Sequence, residues 1–174
     1  MDATRLAAAD VVVRGATADD VGPICAFGSE HVRAHYEPLI GRDGADRQVS
    51  RWWGAEYVAA AVAGEQVVVA EAGRELVGVA QAGRSGADHV VYKLYLHPLA
   101  RGRHIGRLLL DALVGRLPAG VTRLHVEHFA ANERAGAFYA REGFGVDRIE
   151  PGPDRRTDVV WRSAELPLSA PGSL

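Results

Sequence analysis

Between Tyr92 and Leu110 an apolar, strand-like run passes through Pro98 into a turn rich in glycine and arginine, and then straight into a helical apolar repeat. Ile105, Leu108, Leu109, Ala112 and Leu113 mark the inner face of that helix, which is expected to end near Leu117-Pro118. A strand that feeds a helix through so short a turn restricts the chain to folds in which helices cover a sheet. The turn also has a chemistry. Gly102 and Gly106 stand where the helix begins, with Arg101, Arg103 and Arg107 beside them. A helix start presents unpaired amides and the positive end of its dipole. Glycine lets an anion approach that backbone closely. Together with the arginines this describes a pyrophosphate site; the plainer alternative is a solvated basic turn before an amphipathic helix. The spacing is neither that of a P-loop nor that of a dinucleotide fingerprint.

The rest of the chain supplies the sheet. Val11–Arg14 reads as a first strand, and Thr17 with Asp20 as an imperfect capping box for a helix from Ala18 to Tyr36. Residues 37–44 read as a loop, punctuated by Pro38, Gly41 and Gly44. A second helix is expected over 48–63, with Val49, Trp52, Trp53, Tyr57 and Ala60 facing inward. Residues 66–71 and 76–81 form a hairpin, 83–87 a loop and 89–97 a long strand. Residues 122–128 are a strand and 132–142 a helix stopped at Gly143. A final hairpin spans 146–150 and 157–166. The order βααβββαβαββ implies an α/β (α+β) fold with a mixed sheet flanked by about four helices.

With 174 residues the chain is expected to be one domain, over 11–166, with a disordered segment at 1–10 and a loose tail at 167–174. A net charge of -2, from 20 basic and 22 acidic residues, gives no pull toward nucleic acid or an anionic membrane. No run is long and apolar enough to span a bilayer, and the start lacks the pattern of a signal peptide. The single cysteine, Cys25, makes no internal disulfide and sits in an apolar stretch that suits a small core residue. A cytoplasmic location is expected.

Two blocks resemble the GNAT acyltransferase superfamily. Leu94-Tyr95-Leu96-His97-Pro98 followed by Arg101-Gly102-Arg103-His104-Ile105-Gly106 is similar to the family's strand ending in Leu-Tyr-Val-x-Pro and its Arg/Gln-x-x-Gly-x-Gly/Ala turn. His104 stands where the first motif glycine is expected. Asn132, Ala135, Phe138, Tyr139, Gly143 and Phe144 fall without a gap on the family's second pattern. The resemblance covers roughly 67–144. It implies a single domain with a mostly antiparallel sheet splayed between its fourth and fifth strands. It implies acetyl-CoA as cosubstrate, with Arg101, Gly102, Arg103, His104, Ile105, Gly106 and Arg107 around the pyrophosphate and Tyr95 and Leu96 along the pantetheine arm. Asn132 caps the helix and bonds the cofactor arm. Tyr139 protonates the departing thiolate, the group such a transfer requires; otherwise it is a packed tyrosine, while Phe138 is core either way. Family members often pair, so a homodimer is expected by analogy.

An amine acceptor must lose a proton before attack. In the family the first two helices line the acceptor pocket; here they carry Glu30, His31, His35 and Glu37, followed by Trp52, Trp53 and Tyr57. Strand alternation places His125 and Glu127 on one face, opposite Leu124 and Val126. Glu127, Glu30 and Glu37 are the candidate bases, and the sequence does not choose among them. The carboxylates and rings suit a small cationic amine; a solvated helix face over a core stripe is the alternative. His31 and His35 are spaced i, i+4, but no supporting motif points to a metal. The leading expectation is therefore an acetyl-CoA-dependent N-acetyltransferase acting on a small-molecule primary amine, without metal, nucleic acid or membrane. The alternatives are a non-catalytic acyl-CoA-binding module and a protein or peptide N-acetyltransferase.

Overall fold

In the computed structural model residues 11–168 are described; the expected segment 1–10 and most of the tail 167–174 lie outside them. Seven strands are present: β1 (Val11–Gly15), β2 (Val67–Ala72), β3 (Glu75–Ser85), β4 (Asp88–Leu96), β5 (Arg123–Phe129), β6 (Gly145–Glu150) and β7 (Val159–Glu165). The helices are α1 (Val21–Phe27), α2 (Arg33–Trp52), α3 (Ala55–Ala63), α4 (Ile105–Val114) and α5 (Glu133–Arg141). The sheet order is β1-β2-β3-β4-β5-β7-β6. It is mostly antiparallel, with parallel pairing of β4 and β5 registered at Val90↔His125 and Val91↔Val126. This is the mixed α/β architecture expected from the order of elements.

The chain divides into two compact units: residues up to Ala82 with Lys93–Arg116, and Gly83–Tyr92 with the residues from Leu117 onward. The core of the first unit joins Ile24, Phe27, Val32, Trp53, Val58, Ala61, Val62, Val67, Val69 and Val79. At its entrance the Thr17 backbone N–H and hydroxyl both donate to Asp20, at 2.6 and 3.0 Å, so an aspartate closes the capping box despite its short side chain. Arg14 on β1 binds that same carboxylate and Glu71 of β2, at 2.7 Å each. The Arg14 hydrogen bond, helped by those from Thr17, holds Asp20 down to about 2 against burial, which raises it.

Several boundaries differ from the sequence reading. The first helix opens as a 3₁₀ turn, Ala18–Asp20, and between α1 and α2 it widens into a π turn, Gly28–Val32. A Cβ on Gly28 would lie 2.5 Å from the Trp53 ring, so the turn brings bare backbone onto the indole. The expected loop at 37–44 is instead helical on both sides of Gly41, whose φ of 74° and ψ of 168° break α2. Gly41 supplies the positive φ at no steric cost, while Pro38 stays inside the helix. The single helix expected over 48–63 stops at Trp52 and restarts at Ala55, so Val58, Ala61 and Val62 face the core and Ala60 faces solvent. β3 runs on to Ser85, leaving a tighter turn than the expected 83–87 loop.

In α4 the buried stripe is Ile105, Gly106, Leu109, Leu110 and Leu113. Leu108 is 39% exposed, the reverse of its expected place. Leu110 lies on the inner face because α4 packs against both β1 and β2, which widens its buried stripe.

In the second unit β5 pairs along its whole length with β7, and β7 with β6. Leu124 and Val126 are fully buried, as alternation requires. α5 buries Tyr139, with Phe144 just beyond it; Phe138, expected in the core, is half-buried beneath the Arg141 guanidinium.

Candidate active site

The turn between β4 and α4 belongs to the first unit. His97 accepts from the Leu99 N–H at 3.2 Å and starts a short 3₁₀ turn, Pro98–Ala100. Gly102 then takes a φ of 73°, with open space where a side chain would stand. His104, the N-cap of α4, takes a φ of 60° and a ψ of 4°. This left-handed conformation is the one glycine adopts without strain. The backbone therefore follows the path a glycine would give it, and the imidazole is exposed. Ile105 and Gly106 are buried at the helix start; Arg101 is exposed and Arg103 half-buried. Arg107 donates to Asp111 at 2.8 Å. These residues form a helix N-terminus bordered by three guanidinium groups, an arrangement that fits an anion.

Leu96 lies over Gly78 together with Leu109, on the face of β4 that meets α4. Tyr95 points to the other face. Its hydroxyl shares a 2.5 Å hydrogen bond with that of Tyr36, and its ring stands edge-on to Trp53 at 5.4 Å. His97 continues this face and meets His31 edge-on at 4.6 Å. Burial and then the neighbouring His31 lower the His97 pKa.

Lys93 lies on the same face, and the sequence reading did not single it out. It is the only lysine in the chain and is 5% exposed. Its Nζ donates to Gln81 Oε1 at 2.6 Å, and Gln81 Nε2 donates to the Tyr57 hydroxyl at 3.1 Å. Nζ also stands 4.8 Å from the Trp53 ring centre and 4.5 Å from that of Tyr57. Burial lowers its pKa to about 7, while Cys25 acts weakly in the opposite sense. Burial likewise pushes the Cys25 thiol up. Two of the three rings expected to receive a cationic acceptor, Trp53 and Tyr57, thus already face the chain's own amine. The signal in the sequence was a lone lysine alternating with Val91 and Tyr95 in an apolar strand.

The expected carboxylates lie apart in character. Glu30 is 77% exposed, with His31 Nε2 at 3.9 Å. Glu37 is paired with Arg33 at 3.7 Å and Arg42 at 3.4 Å. In the second unit Glu127 stands opposite Trp161 on β7, and its carboxyl is raised by desolvation and then by Glu150, against a lowering by Arg148.

Asn132 caps α5, accepting from the Ala135 N–H at 3.3 Å. Tyr139, about two turns further along, is 6% exposed. It stacks on His128 with ring centres 6.3 Å apart and meets Phe138 and Phe144 edge-on. Burial lowers the His128 pKa, and Arg162 donates to its Nε2 at 3.2 Å. Among the described residues no three His, Cys, Asp or Glu side chains gather as a metal site, and no helix is long and apolar enough to cross a membrane.

Residues 63–146 match the family model described as the acetyltransferase (GNAT) domain. No curated protein matches the chain. Among solved structures, the PaiA N-acetyltransferase of Thermoplasma acidophilum in complex with coenzyme A is similar, with a TM-score of 0.75 and 16% identity, over 89% of this chain and 98% of that one. A GCN5-related N-acetyltransferase of Rhodopseudomonas palustris gives a TM-score of 0.74 and 20% identity, over 93% and 99%. YncA of Salmonella typhimurium, with its cofactor acetyl-CoA, gives 0.64 and 20%, over 95% and 99%. The fold is the one these structures share, and the matched segment, residues 63–146, is similar to the GNAT acetyltransferase domain.

Proposed function

We propose that the chain transfers an acetyl group from acetyl-CoA to a primary amine of a small molecule by direct attack. The observation that carries this reading is the turn at Arg101–Arg107. There Gly102 and His104 both take positive φ, so that the start of α4 offers its free amides beside three arginines. A pyrophosphate supplies the charge such a turn neutralises. The cofactors bound in the PaiA and YncA structures support the same cosubstrate here.

In the transfer, a neutral amine attacks the thioester carbonyl. A C–N bond forms, the C–S bond breaks, and the thiolate takes a proton. Tyr139 is the donor in this reading. Its hydroxyl is carried on a buried ring held by His128, Phe138 and Phe144, which fixes its direction. Glu127 is the carboxylate suited to attract an ammonium, since Glu37 is already paired with two arginines. Tyr139→Phe keeps the ring and removes the hydroxyl. Its turnover, read as thiol release from acetyl-CoA, is expected to fall by roughly 10²–10⁴ with the dissociation constant for acetyl-CoA unchanged. Full turnover in this variant would assign Tyr139 to packing.

A further inference from the structure

We propose that Lys93, in its neutral form, is the proton acceptor for the attacking amine. The proposal rests on the acetyl-transfer reading above and deepens it.

In that reading the strand itself orders the reaction. The pyrophosphate lies at the Arg101–Arg107 turn and the arm runs back along Leu96 and Tyr95. The thioester, at the far end of the arm, then falls further back along β4, where Lys93 stands three residues before Leu96 (about 10 Å at the usual strand rise). The side chain shares its face with Tyr95, against α1, α2 and α3.

The surroundings favour an uncharged amine. An ammonium carries three N–H donors and wants several acceptors or a counter-ion. Lys93 has one oxygen acceptor, Gln81 Oε1, and two ring faces. The titratable groups facing it are Tyr57 from α3 and Cys25 from α1, whose thiol burial pushes up; β3 offers an amide and the end of α2 an indole. Among the described residues no carboxylate is within ion-pair reach of it. A neutral amine gives one N–H to Gln81 and keeps a lone pair. That lone pair takes the proton the acceptor nitrogen loses as the C–N bond forms; the C–S electrons leave with the thiolate, which is protonated by Tyr139. Between turnovers Lys93 returns its proton to solvent and Tyr139 regains one from it. A base is most effective when its pKa is near the working pH, a condition a buried lysine meets more closely than the carboxylate of Glu127.

Because the chain has one lysine, selective ¹³C labelling of lysine gives one side-chain ε resonance, whose titration reads Lys93 directly in the intact protein. A midpoint near neutrality is expected, matching the acidic limb of the pH profile of kcat/KM for amine-dependent thiol release. Lys93→Met keeps the apolar stem. It is expected to lose roughly 10²–10⁴ in kcat at pH 7, to lose that acidic limb, and to bind acetyl-CoA as the wild type does. Glu127→Gln is expected to keep the limb. A resonance that titrates near 10, Lys93→Met at the wild-type rate, or loss of the limb in Glu127→Gln alone each overturns the assignment of Lys93. Wild-type protein that binds acetyl-CoA yet releases thiol with no amine overturns the acetyl-transfer reading itself, with the lysine titration still measured.

Discussion

His104 holds a left-handed backbone conformation at the turn between β4 and α4 with its imidazole in solvent. For a residue with a Cβ this costs about 1–2 kcal/mol. Replacing it by glycine removes that strain but adds roughly 0.5–1 kcal/mol of unfolded-state entropy. His104→Gly is therefore expected to be neutral to stabilising by about 1 kcal/mol in urea unfolding, with acetyl-CoA bound as tightly or more so. Weaker binding would mean that the imidazole itself touches the cofactor. In the sequence His104 looked like a missing glycine, and only φ shows that it keeps the glycine path. The turn between β4 and α4 was legible because it is local: its glycines and arginines lie within seven residues. Lys93 was not, since its meaning depends on Trp53, Tyr57 and Gln81, which reach it from α2, α3 and β3.

At the scale of elements, strands and helices followed hydrophobic period, but helix continuity did not. Pro38, Gly41 and Gly44 read as a loop, yet one positive-φ glycine is enough to redirect α2 without ending it. The π turn before α2 left no sequence mark either; there Trp53 lies on the bare Cα of Gly28. Gly28→Ala is expected to cost about 1–3 kcal/mol from overpacking against the indole; an unfolding midpoint equal to wild type would show that Trp53 has room to move. The β1–α1 connection should be pH-sensitive. Asp20 is held at about 2, below its ordinary 3.8, chiefly by the Arg14 guanidinium. A carboxylate with a depressed folded value stabilises fully above the unfolded value and loses that contribution as pH falls toward the folded one. Asp20→Asn is thus expected to cost about 1–2 kcal/mol at pH 7 and progressively less between about pH 4 and 2. A gap that stays constant down to pH 2 would contradict the assignment.

For the whole molecule, cosubstrate binding and folding are linked. Acetyl-CoA at about 100 times its dissociation constant is expected to raise stability by about 2.7 kcal/mol. Gly106→Glu, which adds bulk and negative charge at the buried start of α4, is expected to abolish that increment. Binding alone, however, leaves the chemistry open. The decisive measurement is amine-dependent thiol release from acetyl-CoA across a panel of small primary amines and matching alcohols, with the acetylated product identified by mass. Thiol and N-acetyl product formed in equal amounts with at least one amine, faster with rising pH and not with the matching alcohol, is the predicted result. Stabilisation by acetyl-CoA without thiol release above background for any amine would contradict it.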